Sequence, residues 1–171
     1  MKLYFVTGNK NKYEEAKQTL PFIQRYTLET TELQTLDKKI IVQDKLRQAK
    51  KHLQEPFFLE DASLDVESLN GLPGPFVKFF AQKLSAEQFA NLCLGSQATA
   101  ACTIGYWDGK QEHILTGETK GVIVQPRGEG WGFSEILEVE DTNKTLAQLH
   151  QENNYSYTHR TRALKKLQEL L

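Results

Sequence analysis

Two adjacent carboxylates, Glu60 and Asp61, could hold a metal ion or a nucleophilic water molecule. They directly follow the apolar run Phe57-Phe58-Leu59, and the rigid segment Gly71-Leu72-Pro73-Gly74-Pro75 lies further along the chain. A short buried strand that stops in charged residues commonly places catalytic or metal-binding oxygens at a site in α/β proteins. We therefore expect a strand with these acids at its carboxyl end. A strand that ends in a solvated acidic loop would explain the same residues.

The loop Thr7-Gly8-Asn9-Lys10-Asn11-Lys12 has the groups needed to bind phosphate. It offers a hydroxyl, a side-chain amide, a glycine, ammonium groups and the backbone N–H groups of a predicted helix start. It lacks the spacing of a Walker A loop. A capped turn with solvated lysines would explain it equally well.

Side chains suited to a planar ligand lie late in the chain. The glycine-rich segment 126–133 places Trp131 and Phe133 where the backbone can approach such a ligand, although surface packing of the rings is an alternative. At the start of the predicted terminal helix, Thr158-His159-Arg160 puts a capping hydroxyl beside an imidazole and a guanidinium.

The hydrophobic periodicity predicts the elements that carry these residues. In chain order they are a strand at 3–6, a helix at 10–20, a strand at 26–28, a helix that ends at 53, a strand at 57–59, helices at 76–84 and 86–94, strands at 98–107, 114–118 and 121–124, and the terminal helix. Asp108-Gly109 is a hairpin signal, so the late strands are expected to form an antiparallel meander.

Composition limits the classes of protein that the chain can belong to. Its 171 residues, 39% hydrophobic and 25% charged, suit a single domain over 1–171. A net charge of -1 provides no general field for nucleic acid or anionic membrane. The apolar runs are too short for a transmembrane helix or signal peptide. Two cysteines, Cys93 and Cys102, are too few for a disulfide framework and fit a reducing, cytoplasmic location.

Four segments, taken in order, resemble the inosine triphosphate pyrophosphatase family. They are Thr-Gly-Asn-Lys-Asn-Lys at 7–12, Glu-Asp-Ala-Ser-Leu at 60–64 followed by Gly-Leu-Pro-Gly-Pro at 71–75, Gly-Trp-Gly-Phe at 130–133, and Thr-His-Arg-Thr-Arg-Ala-Leu at 158–164. The Gly-Leu-Pro-Gly-Pro element after an acidic pair is highly specific, and the four segments together cover nearly the whole chain.

The resemblance implies a fold and a reaction. The fold is a two-lobed mixed α/β structure with a long twisted central sheet and a cleft between the lobes. The reaction is Mg2+-dependent hydrolysis of non-standard purine nucleoside triphosphates, such as ITP, dITP and XTP, to the monophosphate and pyrophosphate. The resemblance also implies a homodimer.

The resemblance further implies roles for individual residues. The implied triphosphate contacts are Thr7, Gly8, Asn9, Lys12, Lys45 and Lys78. The implied catalytic residues are Asp61, Glu60 and Lys12, and the implied metal ligands are Glu32 and Asp61. The implied base pocket consists of Trp131, Gly132, Phe133, Ser134, His159 and Arg160, of which His159 and Arg160 read the six-position oxygen of the purine.

The chemistry of the residues is consistent with these roles. Magnesium prefers one or two carboxylates together with phosphates and waters, and Glu32, Glu60 and Asp61 could supply the carboxylate oxygens. Attack of water on the α-phosphorus needs a carboxylate or a metal ion to hold the nucleophile, while lysines stabilise the leaving pyrophosphate.

The sequence departs from the family pattern at residues that the resemblance places near the nucleotide base. Ser134 and Glu135 stand where the family usually has Asp and Pro, and Asn154 and Tyr155 stand where a Lys-Asn pair is usual. An unmatched buried polar group costs about 1–3 kcal/mol, so these changes predict a shifted base preference.

Two other functions stay open. One is a nucleotide-binding protein without turnover, and the other is a nucleic-acid-binding protein whose affinity would fall steeply with salt.

Overall fold

The structure is a computed structural model that describes residues 2–171. Its strands are β1 (Tyr4–Val6), β2 (Gln24–Tyr26), β3 (Phe57–Val66), β4 (Pro73–Gly74), β5 (Gln97–Trp107), β6 (Glu112–Ile123), β7 (Leu137–Val139) and β8 (Lys144–Thr145). Its helices are α1 (Lys10–Thr19), α2 (Lys38–Ala49), α3 (Val77–Lys83), α4 (Ala86–Cys93), α5 (Leu146–Gln151) and α6 (His159–Gln168). The prediction of a mixed α/β fold is confirmed.

The strands of the described residues form an eight-stranded mixed sheet in the order β2-β1-β3-β5-β6-β7-β8, with β4 paired to β3. β1 is parallel to both β2 and β3. Parallel neighbours need crossover connections, which α1 and α2 provide. In the later part of the chain β7 is antiparallel to β6 and to β8, as expected for a meander.

The chain divides into two compact units. The first unit comprises residues 2–61, 102–117 and 160–171, and the second unit comprises 62–101 and 118–159. In the first unit, one apolar cluster packs α1 and α6 against Phe5 and Phe58, whose stacked rings have centroids 4.4 Å apart. A separate cluster packs α2 against Phe57 and Leu59. The second unit has its own core, which includes Phe89 of α4.

The strand that carries the two acids is longer than predicted. β3 continues through Glu60 and Asp61 to Val66, so the expectation that the strand ends at the acids is wrong. The alternative of a solvated loop is wrong as well, because both side chains are buried. Each acid has a cationic partner from a distant part of the sequence. The local sequence does not show these distant partners. Because an unpaired buried charge is costly, two adjacent charged residues predict the end of a buried strand.

Other boundaries also differ from the predictions. The predicted strands at 114–118 and 121–124 are one strand, β6. The intervening Thr119 is buried, and its hydroxyl donates to the carbonyl oxygen of Tyr157. β2 lies two residues earlier than 26–28, and α2 ends at Ala49 rather than at 53. The polar segment 143–157 contains β8 and α5.

The predicted positions of α1, α3 and α4 are confirmed. α1 and α3 lie within the predicted ranges, and Ser85 begins α4 with a capping box shared with Gln88. Cys93 and Cys102 are buried free thiols. No helix within residues 2–171 is both long and apolar enough to cross a membrane.

Helix α2 approaches the sheet closely at Gly105 of β5. A Cβ atom at this position would lie 2.5 Å from Cγ1 of Val42 and 2.8 Å from Cγ of Leu46. Distances below 3.0 Å force one of the neighbours to move. The absence of a side chain at Gly105 therefore sets how deeply α2 packs on the sheet.

We expect Gly105→Ala to lower the free energy of unfolding by about 1–3 kcal/mol, because overpacking a filled core displaces side chains and backbone. Urea unfolding followed by circular dichroism measures the change. Gly8→Ala is the matched control, since a Cβ there meets no atom within 4 Å. Equal stability of the Gly105→Ala and parent proteins would show that α2 does not depend on this close approach.

Candidate active site

Glu60 and Asp61 point to opposite faces of β3, because successive side chains of a strand alternate. Phe58 packs in the cluster of α1 and α6, and Glu60 shares its face. Leu59 packs in the cluster of α2, and Asp61 shares that face. The two adjacent carboxylates therefore belong to different clusters of charged groups within the first unit.

The Asp61 cluster is built around the ammonium group of Lys45 on α2. The Nζ atom of Lys45 lies 2.7 Å from Oδ1 of Asp61 and 3.0 Å from Oε1 of Glu32. Burial alone would lower the pKa of Lys45, but the charges of Asp61 and Glu32 outweigh this effect and the pKa lies above its ordinary value. Lys45 is therefore a charged, buried cation held between two carboxylates.

The second carboxylate oxygen of Asp61 is the atom of this cluster whose surroundings point most clearly to a function. Oδ2 is buried and has no hydrogen-bond partner among the described residues. Buried carboxylate oxygens are nearly always paired, because a buried polar atom without a partner costs free energy. Oδ2 is thus available to a water molecule, a cation or another hydrogen-bond donor.

The Glu60 cluster is built around the guanidinium group of Arg160 at the start of α6. Nε of Arg160 lies 2.8 Å from Oε2 of Glu60, and Nη2 lies 2.9 Å from Oε1. Nη1 of Arg160 donates to Glu15 of α1. Nζ of Lys12 lies 3.1 Å from Oε1 of Glu60, and the thiol of Cys102 donates to Oε2 across 3.2 Å.

The protonation states in this cluster follow from burial and charge. Burial would raise the pKa of Glu60, but the charges of Arg160 and Lys12 overcome it and hold the pKa well below its usual range. Burial, and then the charge of Glu60, raise the pKa of the Cys102 thiol well above its ordinary value. Glu60 is therefore an anion whose two oxygens are both engaged, and Cys102 is a neutral donor to it.

Two members of the Glu60 cluster were not identified from the sequence. Glu15 lies on the face of α1 that packs inward with Ala16 and Leu20, and a charged residue at that helical spacing is a signal that an ion pair is needed. Cys102 is a buried free thiol, and no local sequence pattern identifies the acceptor of its hydrogen bond. Both contacts join residues far apart in the chain.

The loop at 7–12 is a capped turn. Asn9 is the N-cap of α1, and its Oδ1 accepts from the backbone N–H groups of Asn11 and Lys12. Oγ1 of Thr7 accepts from the N–H of Asn9. Capping uses the acceptor atoms of these side chains, whereas a phosphate would use their donors, which are the Thr7 hydroxyl and the Asn9 amide NH2. The two interpretations of the loop are therefore compatible.

In the second unit, the glycine-rich loop is held by the two residues that depart from the family pattern. Oγ of Ser134 accepts from the backbone N–H of Trp131, and Oε1 of Glu135 accepts from the N–H of Gly130, both at 3.0 Å. A Cβ on Gly130 would lie 2.1 Å from Oγ of Ser134, so only glycine permits this contact. Gly132 has a φ of 67°. Ser134 and Glu135 thus organise the loop that carries Trp131.

The remaining residues predicted to bind the substrate have different surroundings. Phe133 is buried in the core of the second unit, and its ring centroid lies 5.7 Å from that of His159. Lys78 lies exposed on α3 of the same unit. Arg160 belongs to the Glu60 cluster of the first unit. The joint role of His159 and Arg160 at a purine base and the triphosphate contact of Lys78 stay predictions.

The Asp61 cluster fits the donor set of a hard divalent cation. Among the described residues, no group of three or more His, Cys, Asp or Glu side chains is arranged to hold a metal ion. Glu32 and Asp61 do converge on Lys45, and Oδ2 of Asp61 is a buried oxygen that needs a partner. Magnesium typically takes one or two carboxylates and completes its shell with phosphate oxygens and waters.

We expect Glu60→Gln to lower the free energy of unfolding at neutral pH by about 3–5 kcal/mol, because it leaves the buried Arg160 incompletely paired. The pKa of Glu60 is lower in the folded chain, so its contribution is complete above the unfolded pKa of about 4.3 and is lost as the pH falls through the folded pKa. Urea unfolding should therefore show a constant difference above that pH and a shrinking one below it.

Glu169→Gln, at an exposed position near the C-terminus, is the control for this prediction. It should unfold like the parent chain. A Glu60→Gln protein as stable as the parent at neutral pH would contradict the structural role of the ion pair.

Comparisons with known proteins cover almost the whole chain. A sequence model described as the Ham1 family matches residues 3–170. An inosine triphosphate pyrophosphatase from Neurospora crassa is 38% identical and spans 96% of this chain and 90% of its own length. An inosine triphosphate pyrophosphatase from Puccinia graminis f. sp. tritici is 34% identical, with 99% of this chain and 96% of the relative covered.

The fold is shared with solved structures. A HAM1 protein from Coxiella burnetii matches with a TM-score of 0.83 over 99% of this chain and 98% of that chain, at 22% sequence identity. At that identity the comparison concerns the fold alone. It agrees with the mixed sheet and its flanking helices.

Proposed function

This chain belongs to the Ham1 family, and from that premise we propose that it hydrolyses non-standard purine nucleoside triphosphates to the monophosphate and pyrophosphate. The predicted family relationship is confirmed, and with it the enzyme class, a hydrolase acting on phosphoanhydride bonds. In this proposal residues 1–171 act as one pyrophosphatase domain. ITP, dITP and XTP are the expected substrates.

The observation that carries the proposal is the buried, unpartnered Oδ2 of Asp61 beside the Lys45 ammonium. An oxygen in this state can accept a proton from a water molecule, while the Lys45 ammonium engages the other oxygen of the carboxylate. Asp61 is therefore assigned as the residue that holds and partly deprotonates the attacking water. Glu32 is assigned as the second carboxylate of the site because it shares Lys45 with Asp61.

The lysines of the first unit are assigned to the triphosphate. Lys45 and Lys12 carry ammonium groups beside Asp61 and Glu60, and a polyanionic substrate needs such charges to offset its own. Because Glu60 has both oxygens engaged, its part is to hold Lys12 and Arg160 in place. Thr7, Gly8 and Asn9 present the neighbouring hydroxyl, backbone and amide donors at the start of α1.

Magnesium is the proposed cofactor, bound by Glu32 and Asp61. When bound, it would neutralise phosphate charge and lower the pKa of a coordinated water. The chain's own contribution is a pair of carboxylates and a lysine that keeps them close together in the first unit.

The base preference is proposed to be shifted from that of other family members. Where the family usually has a carboxylate, this chain has the Ser134 hydroxyl, and the hydroxyl oxygen is engaged with the backbone of Trp131. A neutral hydroxyl can either donate or accept a hydrogen bond, whereas an ionised carboxylate can only accept. The expected result is weaker discrimination among purine edges.

The test is pyrophosphate release from ITP, dITP, XTP, GTP and ATP with Mg2+, measured for the parent chain and Asp61→Asn. We expect release from the non-standard nucleotides and at least about a 100-fold loss in the variant, because general-base catalysis typically contributes that much. Chelation of Mg2+ should also abolish release.

Circular dichroism and thermal unfolding should show that Asp61→Asn remains folded. No release from any nucleotide by the parent chain would refute the proposed reaction. Nucleotide binding without release would support a binding protein that has lost turnover.

A homodimer and a cytoplasmic location complete the proposal. Phe79 of α3 is 53% exposed and Leu72 is 44% exposed, and both lie in the second unit. Contiguous exposed apolar patches mark interfaces between chains, and the proposal assigns these two side chains to such a patch. The two free buried thiols are consistent with a reducing compartment.

Light scattering of the parent chain should give twice the mass of one chain, and Phe79→Lys should give the mass of one chain because a charge does not fit an apolar interface. Phe22→Lys is the matched control, since Phe22 is a similarly exposed phenylalanine of the first unit. A monomeric parent chain would contradict the homodimer.

A further inference from the structure

The segment at 27–37 carries Glu32 but has neither helix nor strand. Two of its apolar residues point outward, with Leu33 45% and Leu36 58% exposed. Leu28 packs against the apolar cluster of α2, but residues 31–34 around Glu32 are exposed, so burial does little to fix the position of Glu32. Holding a residue in one conformation costs backbone entropy, so such a segment needs specific contacts to keep a side chain in place.

Gln48 of α2 provides such contacts at Thr31, the residue before Glu32. Oε1 of Gln48 accepts from the backbone N–H of Thr31 at 2.9 Å, and Nε2 donates to the carbonyl oxygen of Thr31 at 2.9 Å. The Thr31 hydroxyl donates to the same Oε1 at 3.2 Å. The side-chain amide thus pairs with both backbone groups of one residue, as a neighbouring strand would.

Asp44 orients the amide of Gln48. The second proton of Nε2 is donated to Oδ2 of Asp44 at 2.7 Å, one helical turn earlier on α2. A primary amide has two donors and two acceptor lone pairs, and these contacts use all four. The orientation of the amide is fixed chemically, because its oxygen faces an N–H and its nitrogen faces a carboxylate and a carbonyl.

Gln48 and Lys45 act on neighbouring residues of the same segment. Both project from α2, which is packed against the sheet at Gly105. Gln48 holds the backbone of Thr31, and Lys45 holds the carboxylate of Glu32 and that of Asp61. The helix therefore sets the position of the segment relative to Asp61, and all of these residues belong to the first unit.

We infer that Gln48 is a positioning residue: by clamping the backbone of Thr31 it holds the Glu32 carboxylate where it can share a divalent cation with Asp61. The inference rests on the proposed function, because that proposal assigns the cation to these carboxylates. Gln48 itself contacts neither the substrate nor the cation. Its loss should loosen the segment and weaken cation binding together.

The test compares Gln48→Met with the parent chain. Methionine keeps the length and helix propensity of glutamine but makes none of the amide hydrogen bonds. Without nucleotide, Mn2+ binding followed by electron paramagnetic resonance should show an apparent dissociation constant raised about tenfold, as expected when the two hydrogen bonds to the Thr31 backbone are lost. Hydrogen–deuterium exchange of the Thr31 amide should accelerate by a similar factor.

Two further variants separate the clamp from general effects. Gln43→Met makes the same substitution at an exposed position of α2 and should match the parent chain in both measurements. Thr31→Ala removes only the hydroxyl contact and keeps the paired backbone groups, so it should stay within about twofold of the parent chain. Circular dichroism checks that each variant is folded.

A kinetic measurement separates positioning from mere stability. In Gln48→Met the Mg2+ concentration for half-maximal pyrophosphate release should rise about tenfold, while kcat at saturating Mg2+ stays within about twofold, because bound cation restores the position of Glu32. A lower kcat that excess Mg2+ does not restore would overturn the inference.

Unchanged Mn2+ affinity in Gln48→Met would also overturn the inference, even if hydrogen–deuterium exchange of the Thr31 amide accelerates. In that case Gln48 would order the segment at 27–37 without positioning the Glu32 carboxylate. This failure is distinguishable from failure of the proposed function. Absence of pyrophosphate release by the parent chain concerns the reaction, whereas the exchange and Mn2+ measurements are made without nucleotide.

Discussion

The carboxylates buried within β3 have to be neutralised by cations brought from distant helices. An unpaired charge removed from water costs several kcal/mol, so Glu60 and Asp61 can stay in the strand only if Arg160, Lys12 and Lys45 reach them. Helices α1 and α6 supply the partners on one face, and α2 supplies the partner on the other. The helices of the first unit are thus tied to the sheet by charge as well as by apolar packing.

The two clusters differ in whether the carboxylate oxygens all have hydrogen-bond partners. This difference distinguishes a structural carboxylate from one that can react with a ligand. At Glu60 both oxygens are occupied, so the group stabilises the fold and orients Lys12. At Asp61 one oxygen is engaged by Lys45 and the other has no partner among the described residues. A buried polar atom without a hydrogen-bond partner is characteristic of sites that act on a ligand.

Much of the fold was predictable because its signals are local. The hydrophobic period located α1, α3 and α4. The full length of β3 was not predictable, because the neutralisation of Glu60 depends on Arg160, a contact 100 residues away in the chain. The clamp between Gln48 and Thr31 escaped detection for the same reason, since a solvated glutamine and a clamping one have identical local sequence.

The sequence by itself determined which chemical groups are present, their order along the chain and the family they indicate, because those are properties of residue types and spacing. Only the tertiary structure decided which cation meets which acid. Strand alternation separates Glu60 from Asp61, and helix packing then gives Arg160 to the first and Lys45 to the second. Adjacent residues in a motif can therefore have different roles, because their side chains face different neighbours.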